Sequence, residues 1–149
     1  MLTGLKEFFA GTQTPAFIVG GCLRDSLLSL PPGRDVDIAV AGDVQILAKD
    51  LTRSFGGTLV PLSPERGTLR VVIPSSGASS HKGSHFPHNL NKNWTIDLFG
   101  FSGSIEEDLA RRDFTVDALA LPISDWDEET PDLLAERVID PFHGKADLA

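Results

Sequence analysis

AFIVGGCLRDSLLSL (residues 16–30) runs directly into PPGRDVDIAVAG (residues 31–42). The first stretch opens as a short apolar run, Ala16 to Val19, and reaches Gly20 and Gly21, the pattern of a strand entering a tight turn. Leu23, Leu27, Leu28 and Leu30 then recur at helical spacing until Pro31, Pro32 and Gly33 stop the helix. In the second stretch Val36, Ile38 and Val40 alternate with Asp35 and Asp37. That two-residue period belongs to a strand with one apolar and one acidic face.

Elements of both kinds extend on either side. Residues 2–10 read as a short helix with Leu2, Leu5, Phe8 and Phe9 on one side. Asp43 is placed to cap a helix that runs to about Phe55 with Val44, Leu47, Ala48 and Leu51 inward, and Gly56 and Gly57 end it. TLVPLS (58–63) and TLRVVIP (68–74) read as strands joined by a hairpin-like loop. Between Pro74 and Asn93 the composition turns to Ser, Gly, His, Asn and Lys, so 75–93 is expected to be a flexible insertion loop. WTIDLFGF (94–101) resumes a strand. Ser104 and Glu107 form a capping box that starts a helix near Ile105, expected to reach Arg112. FTVDALA (114–120) reads as a further short helix or turn, RVID (137–140) as a last strand, and PFHGKADLA (141–149) as a tail without a closing element. The expectation is one domain over 1–149, cut from a longer protein.

Composition narrows the function classes. The chain has 149 residues, with 13 Lys and Arg against 21 Asp and Glu, for a net charge of −8. A chain this acidic does not hold nucleic acid by bulk charge, because phosphate binding needs clustered Lys and Arg. No apolar run approaches the roughly 18 residues a membrane span requires, and the first residues lack a signal-peptide layout. The single cysteine, Cys22, excludes an internal disulfide and fits a reducing, cytoplasmic setting.

Four groups of residues carry chemistry. Asp35 and Asp37, two apart on a strand, leave the same face, and two like charges so placed repel unless a cation such as Mg²⁺ lies between them. Read alone, such a pair is also an ordinary exposed strand edge. Gly20 and Gly21 let backbone approach an anion at a helix N-terminus, with Arg24 one turn in; read alone, this too is a plain turn. In Asp108-Leu109-Ala110-Arg111-Arg112-Asp113 one arginine can be held by a carboxylate while the other faces a phosphate. Asp97 is a polar residue on an otherwise apolar strand. His81, His85 and His88 lack the Cys or carboxylate partners of a metal site and read as loop residues. Cys22, beside the glycines, reads as a small packing residue.

Taken in order, VGGCLRDSLL (19–28), RDVDIA (34–39), EDLARRDFTVDALA (107–120) and IDPFHGKADL (139–148) resemble the head domain of the bacterial CCA-adding enzyme and poly(A) polymerase family. The resemblance implies an α+β nucleotidyltransferase fold, a small mixed, largely antiparallel sheet with helices packed on one side. It implies that Asp35 and Asp37 hold two magnesium ions and that Asp97 is a third carboxylate at the catalytic centre. Gly20, Gly21 and Arg24, and in the second motif Arg111, Arg112 and Asp117, would form the nucleotide site for ATP or CTP. The reaction implied is transfer of a nucleoside monophosphate to an RNA 3′-hydroxyl, as at a tRNA 3′ end, with pyrophosphate released. RNA would be held through domains absent from this chain. Rival expectations are a nucleotide-binding module without turnover and a transferase of the same fold with another acceptor. The chain departs from the family pattern at Asp117, where Asn is usual, and at Leu98-Phe99-Gly100-Phe101, where many relatives carry an arginine.

Overall fold

The computed structural model describes residues 1–31, 33–63, 65–75, 93–127 and 129–148. The first helix, α1 (Leu2–Thr12), is followed by β1 (Ala16–Val19), α2 (Gly20–Leu27), β2 (Asp35–Val40) and α3 (Val44–Phe55). Then come β3 (Thr58–Ser63), β4 (Thr68–Pro74), β5 (Asn93–Gly100), α4 (Ile105–Leu109) and β6 (Ala120–Pro122), with α5 (Pro131–Arg137) and α6 (Gly144–Asp147) last. The strands form one six-stranded sheet in the order β3-β4-β5-β2-β1-β6. Only β2 and β5 pair in parallel; every other neighbouring pair is antiparallel.

Strand alternation sorts the side chains onto two faces. Ile18, Val36, Ile38, Val40, Val71, Ile73, Ile96 and Leu98 enter one core, against Leu5 and Phe9 of α1, Leu23 of α2, Leu47 and Leu51 of α3 and Leu134 of α5. Burying each such side chain is worth about 2 kcal/mol, which makes this layer the main source of stability. The opposite face carries a smaller cluster of Val19, Ala39, Ala118 and Ala120 beneath Ile105 and Leu109 of α4. The mixed, largely antiparallel sheet and its main helical layer match the expected architecture; α4 is the helical piece on the other side.

Four local expectations change. Gly20 and Gly21 are the first residues of α2 rather than a turn before it, with Gly20 at φ 69°. That helix stops at Leu27, Ser29 turns into the left-handed region, and so Leu28 and Leu30 are exposed rather than packed. Helix α4 ends at Leu109, and the amides of Arg111 and Arg112 reach back three residues to Asp108 and Leu109 in a tighter turn. RVID supplies only a single bridge, Ile139 to Ala120, and the tail closes with α6, whose first amides are capped by Asp140. The proposed insertion loop and its histidines, His81, His85 and His88, lie outside the described residues but for its ends. No helix among the described residues is long and apolar enough to cross a membrane.

Asp43 accepts from the amides of Gln45 and Ile46 at 2.8 and 3.1 Å, as its position in the sequence requires. Asp43→Ala is therefore expected to cost about 1 kcal/mol, read as a lowered urea midpoint with an unchanged slope.

Candidate active site

The site grows out of strand register. Because Val36 and Ile38 point into the main core, Asp35 and Asp37 must leave the other face of β2. The parallel pairing sets Asp37 beside Asp97 on β5, and the antiparallel pairing of β4 sets Arg70 beside Asp97. On its other side Asp37 is level with Val19, the residue before α2. Gly20 follows there, and a Cβ on it would come within 2.6 Å of Asp37 Oδ2. Both that approach and the positive φ demand glycine.

Charge on this face is dense and unevenly compensated. Burial, the neighbouring Asp97 and, less strongly, Asp35 push the Asp37 carboxyl above its usual range, against the pull of Arg112 and Arg70. Asp97 is gripped from β4 by two hydrogen bonds, Arg70 Nε at 2.7 Å and Nη2 at 2.8 Å. This forked pair strengthens the proton hold of Arg70 and engages both oxygens of Asp97. Among the described residues no three acidic, His or Cys side chains converge as a ready-made metal cage. Magnesium does not need one: it binds through one or two carboxylates and completes its shell with water and substrate phosphate. Asp35, exposed at the strand start, and Asp37, destabilised in its charged form, suit that role. Asp97 is already committed to Arg70.

Two arginines stand at the other end of the site. Arg24 donates through Nε to Asp25 at 3.3 Å and through Nη1 to Asp117 at 3.1 Å. A Cβ on Gly21 would lie 3.4 Å from Arg24 Nη2, so this helix turn and the guanidinium are close-fitted. Arg112 donates to the Asp117 carbonyl and the Asp108 carboxylate at 3.4 and 3.5 Å, and lies over the Phe99 ring at 5.3 Å. Its Nε is buried with no hydrogen-bond partner among the described residues. The carboxylate of Asp117 is thus balanced by Arg24, while Arg112 reaches only its backbone carbonyl. Arg111 is exposed, and no side-chain hydrogen bond or ion pair ties it to this network among the described residues.

The tail braces the second motif. Gly144 approaches the Thr115 carbonyl so closely that a Cβ would lie 2.1 Å from its oxygen, and Thr115 Oγ1 donates to Asp147. The bracing fixes the 3-10 turn Thr115–Asp117, from which Asp117 reaches both arginines. Sequence reading missed Arg70, because its partner Asp97 comes from a strand 27 residues on and nothing in the spacing announces the pairing. The one available signal was a cation at mid-strand in TLRVVIP. Burial pushes the Cys22 thiol up to about 12, which leaves it protonated and unreactive at neutral pH and supports its packing role.

Residues 16–149 match the family model described as the poly A polymerase head domain. The chain is 37% identical over 134 residues to the CC-adding tRNA nucleotidyltransferase of Geobacter sulfurreducens, covering 90% of this chain and 25% of that protein. It is 29% identical to the A-adding tRNA nucleotidyltransferase of Halalkalibacterium halodurans, covering 99% of this chain and 32% of the relative. Among solved structures, a tRNA nucleotidyltransferase complexed with a primer tRNA and an incoming ATP analog superposes with a TM-score of 0.66 at 30% identity, over 99% of this chain and 36% of the other. The Thermotoga maritima CCA-adding enzyme complexed with tRNA superposes at 0.68 with 28% identity, over 99% of this chain and 30% of the other. The chain thus spans about a third or less of the curated relatives it matches.

Two outcomes test the geometry. A carboxyl whose pKa is raised by folding favours the fold while protonated and opposes it once ionised, so its contribution is lost as pH rises through the folded value. Asp37→Asn should therefore raise the melting temperature in EDTA at pH 7, with a smaller gain near pH 4. Gly144→Ala should instead lower it, because the Thr115–Asp117 turn must move; calorimetry reads both variants.

Proposed function

Because this chain belongs to the poly A polymerase head-domain family, we propose that it is the catalytic head of an RNA 3′-end nucleotidyltransferase of the tRNA CCA- or A-adding type. ATP or CTP is the nucleotide substrate, the 3′-hydroxyl of RNA the acceptor and pyrophosphate the product. The observation that carries this reading is the meeting of Asp37 with Gly20 and, on the same face, of Arg24 and Arg112 around Asp117. Carboxylates and a phosphate-binding pair of guanidiniums are thereby set on one small surface.

Asp35 and Asp37 are the residues that would hold magnesium, which when bound supplies Lewis-acid stabilisation and a more acidic 3′-hydroxyl. The chain's own residues do the rest. Gly20 keeps the space against Asp37 clear of side chain, and the α2 N-terminus offers amide donors to an anion. Arg24 and Arg112 orient and neutralise the triphosphate, and Arg112 Nε is a buried donor that a phosphate oxygen would satisfy. Arg70 holds both oxygens of Asp97 from β4, and its own charge partly offsets the acidity crowded around Asp37. With a net charge of −8, the head relies on the remainder of the protein to grip RNA. Relatives described as complexed with a primer tRNA and an ATP analog, and with tRNA, support RNA and a nucleoside triphosphate as the partners.

Incorporation of labelled nucleotide into tRNA lacking its 3′ end, by the full-length protein, tests the proposal. Wild type should incorporate, and Asp35→Ala and Asp37→Ala should fall to background while ATP binding persists. Wild-type ATP binding without any incorporation would favour instead a module that binds nucleotide and does not turn it over.

A further inference from the structure

Arg24 is already occupied in the folded chain, and its two carboxylate partners have different origins. Asp25 is the next residue of the same helix and travels with it. Asp117 lies 93 residues away on a separately braced turn, and its own carbonyl receives Arg112. One residue thus ties together the two guanidiniums of the site, one by side chain and one by backbone. The Arg24 and Asp117 side chains are 36% and 33% exposed, so water reaches the pair and the contact is exchangeable rather than locked.

Resting on the nucleotidyltransferase reading, we propose that Asp117 is an exchangeable counter-ion for Arg24, holding the guanidinium in place before nucleotide arrives and competing with the triphosphate for it. The carboxylate stands where a phosphate oxygen would, and the Arg112 contact survives the exchange because it uses the backbone of residue 117. Reversal of the exchange returns Arg24 to Asp117 as pyrophosphate leaves. Asp117 is a positioning residue in this scheme, acting on the nucleotide through Arg24.

The arrangement separates charge from shape. Asp117→Asn keeps an acceptor oxygen for Arg24 but removes the competing charge. ATP and inorganic pyrophosphate, titrated calorimetrically into the full-length protein, should then bind about two- to fivefold more tightly, within the range an exposed ion pair of about 0.4–1 kcal/mol allows. Pyrophosphate release should slow by a similar factor. Asp117→Ser, a second variant against misfolding, should shift affinity in the same direction. In the Arg24→Ala background Asp117→Asn should give no gain, which a merely structural role would not produce. If Arg24→Ala weakens ATP binding while Asp117→Asn and Asp117→Ser leave it unchanged or weaker, the counter-ion role is overturned and the site stands. If Arg24→Ala leaves ATP affinity untouched, the nucleotide-site reading itself fails.

Discussion

The constraint on which this structure turns is the contact between a carboxylate and a piece of bare backbone. Asp37 Oδ2 occupies the space that a side chain on residue 20 would fill, and the chain at residue 20 adopts a left-handed conformation as it leaves β1 for α2. Everything chemical follows from that junction. It brings the start of a helix to the edge of an acidic strand and turns Arg24, one turn later, toward the same surface. The carboxylate is stranded between burial, Asp97 and Asp35, with only partial relief from two arginines. An added positive charge on this face would relieve that imbalance.

Around it, acids and bases are distributed with some economy. Arg70 holds both oxygens of Asp97, while Arg112 is steadied by Asp108, a backbone carbonyl and an aromatic face. These are different solutions to one problem, which is to keep guanidinium groups in place among like neighbours without burying bare charge. The glycine at residue 144 and the cap at Asp140 serve the same end from behind, since they hold the turn on which Asp117 sits.

How much could be read from the amino acids depended on the distance over which a feature is specified. The caps at Asp43 and Ser104 and the alternation in residues 35–40 involve neighbours within a few positions, and they appear as expected. The end of α2 did not, because leucine spacing ran on past the point where Ser29 turns left-handed. Nor did α6, whose four residues are too short for a periodic signal and are held by Asp140 and Thr115 instead. Arg70 and the Arg24–Asp117 pair were hidden for the same reason. They exist only through the order of strands in the sheet, and no local pattern encodes that order.

The lone parallel pairing, β2 with β5, carries a kinetic implication. Neighbours in that ladder are separated by 60 positions in the chain, Asp37 against Asp97 for instance. Contacts of such high order are slow to close, since their entropic cost falls due before the attraction is gained. Until that ladder closes Asp37 and Asp97 are not neighbours, so the acidic face of β2 is assembled by a long-range contact and by no local one.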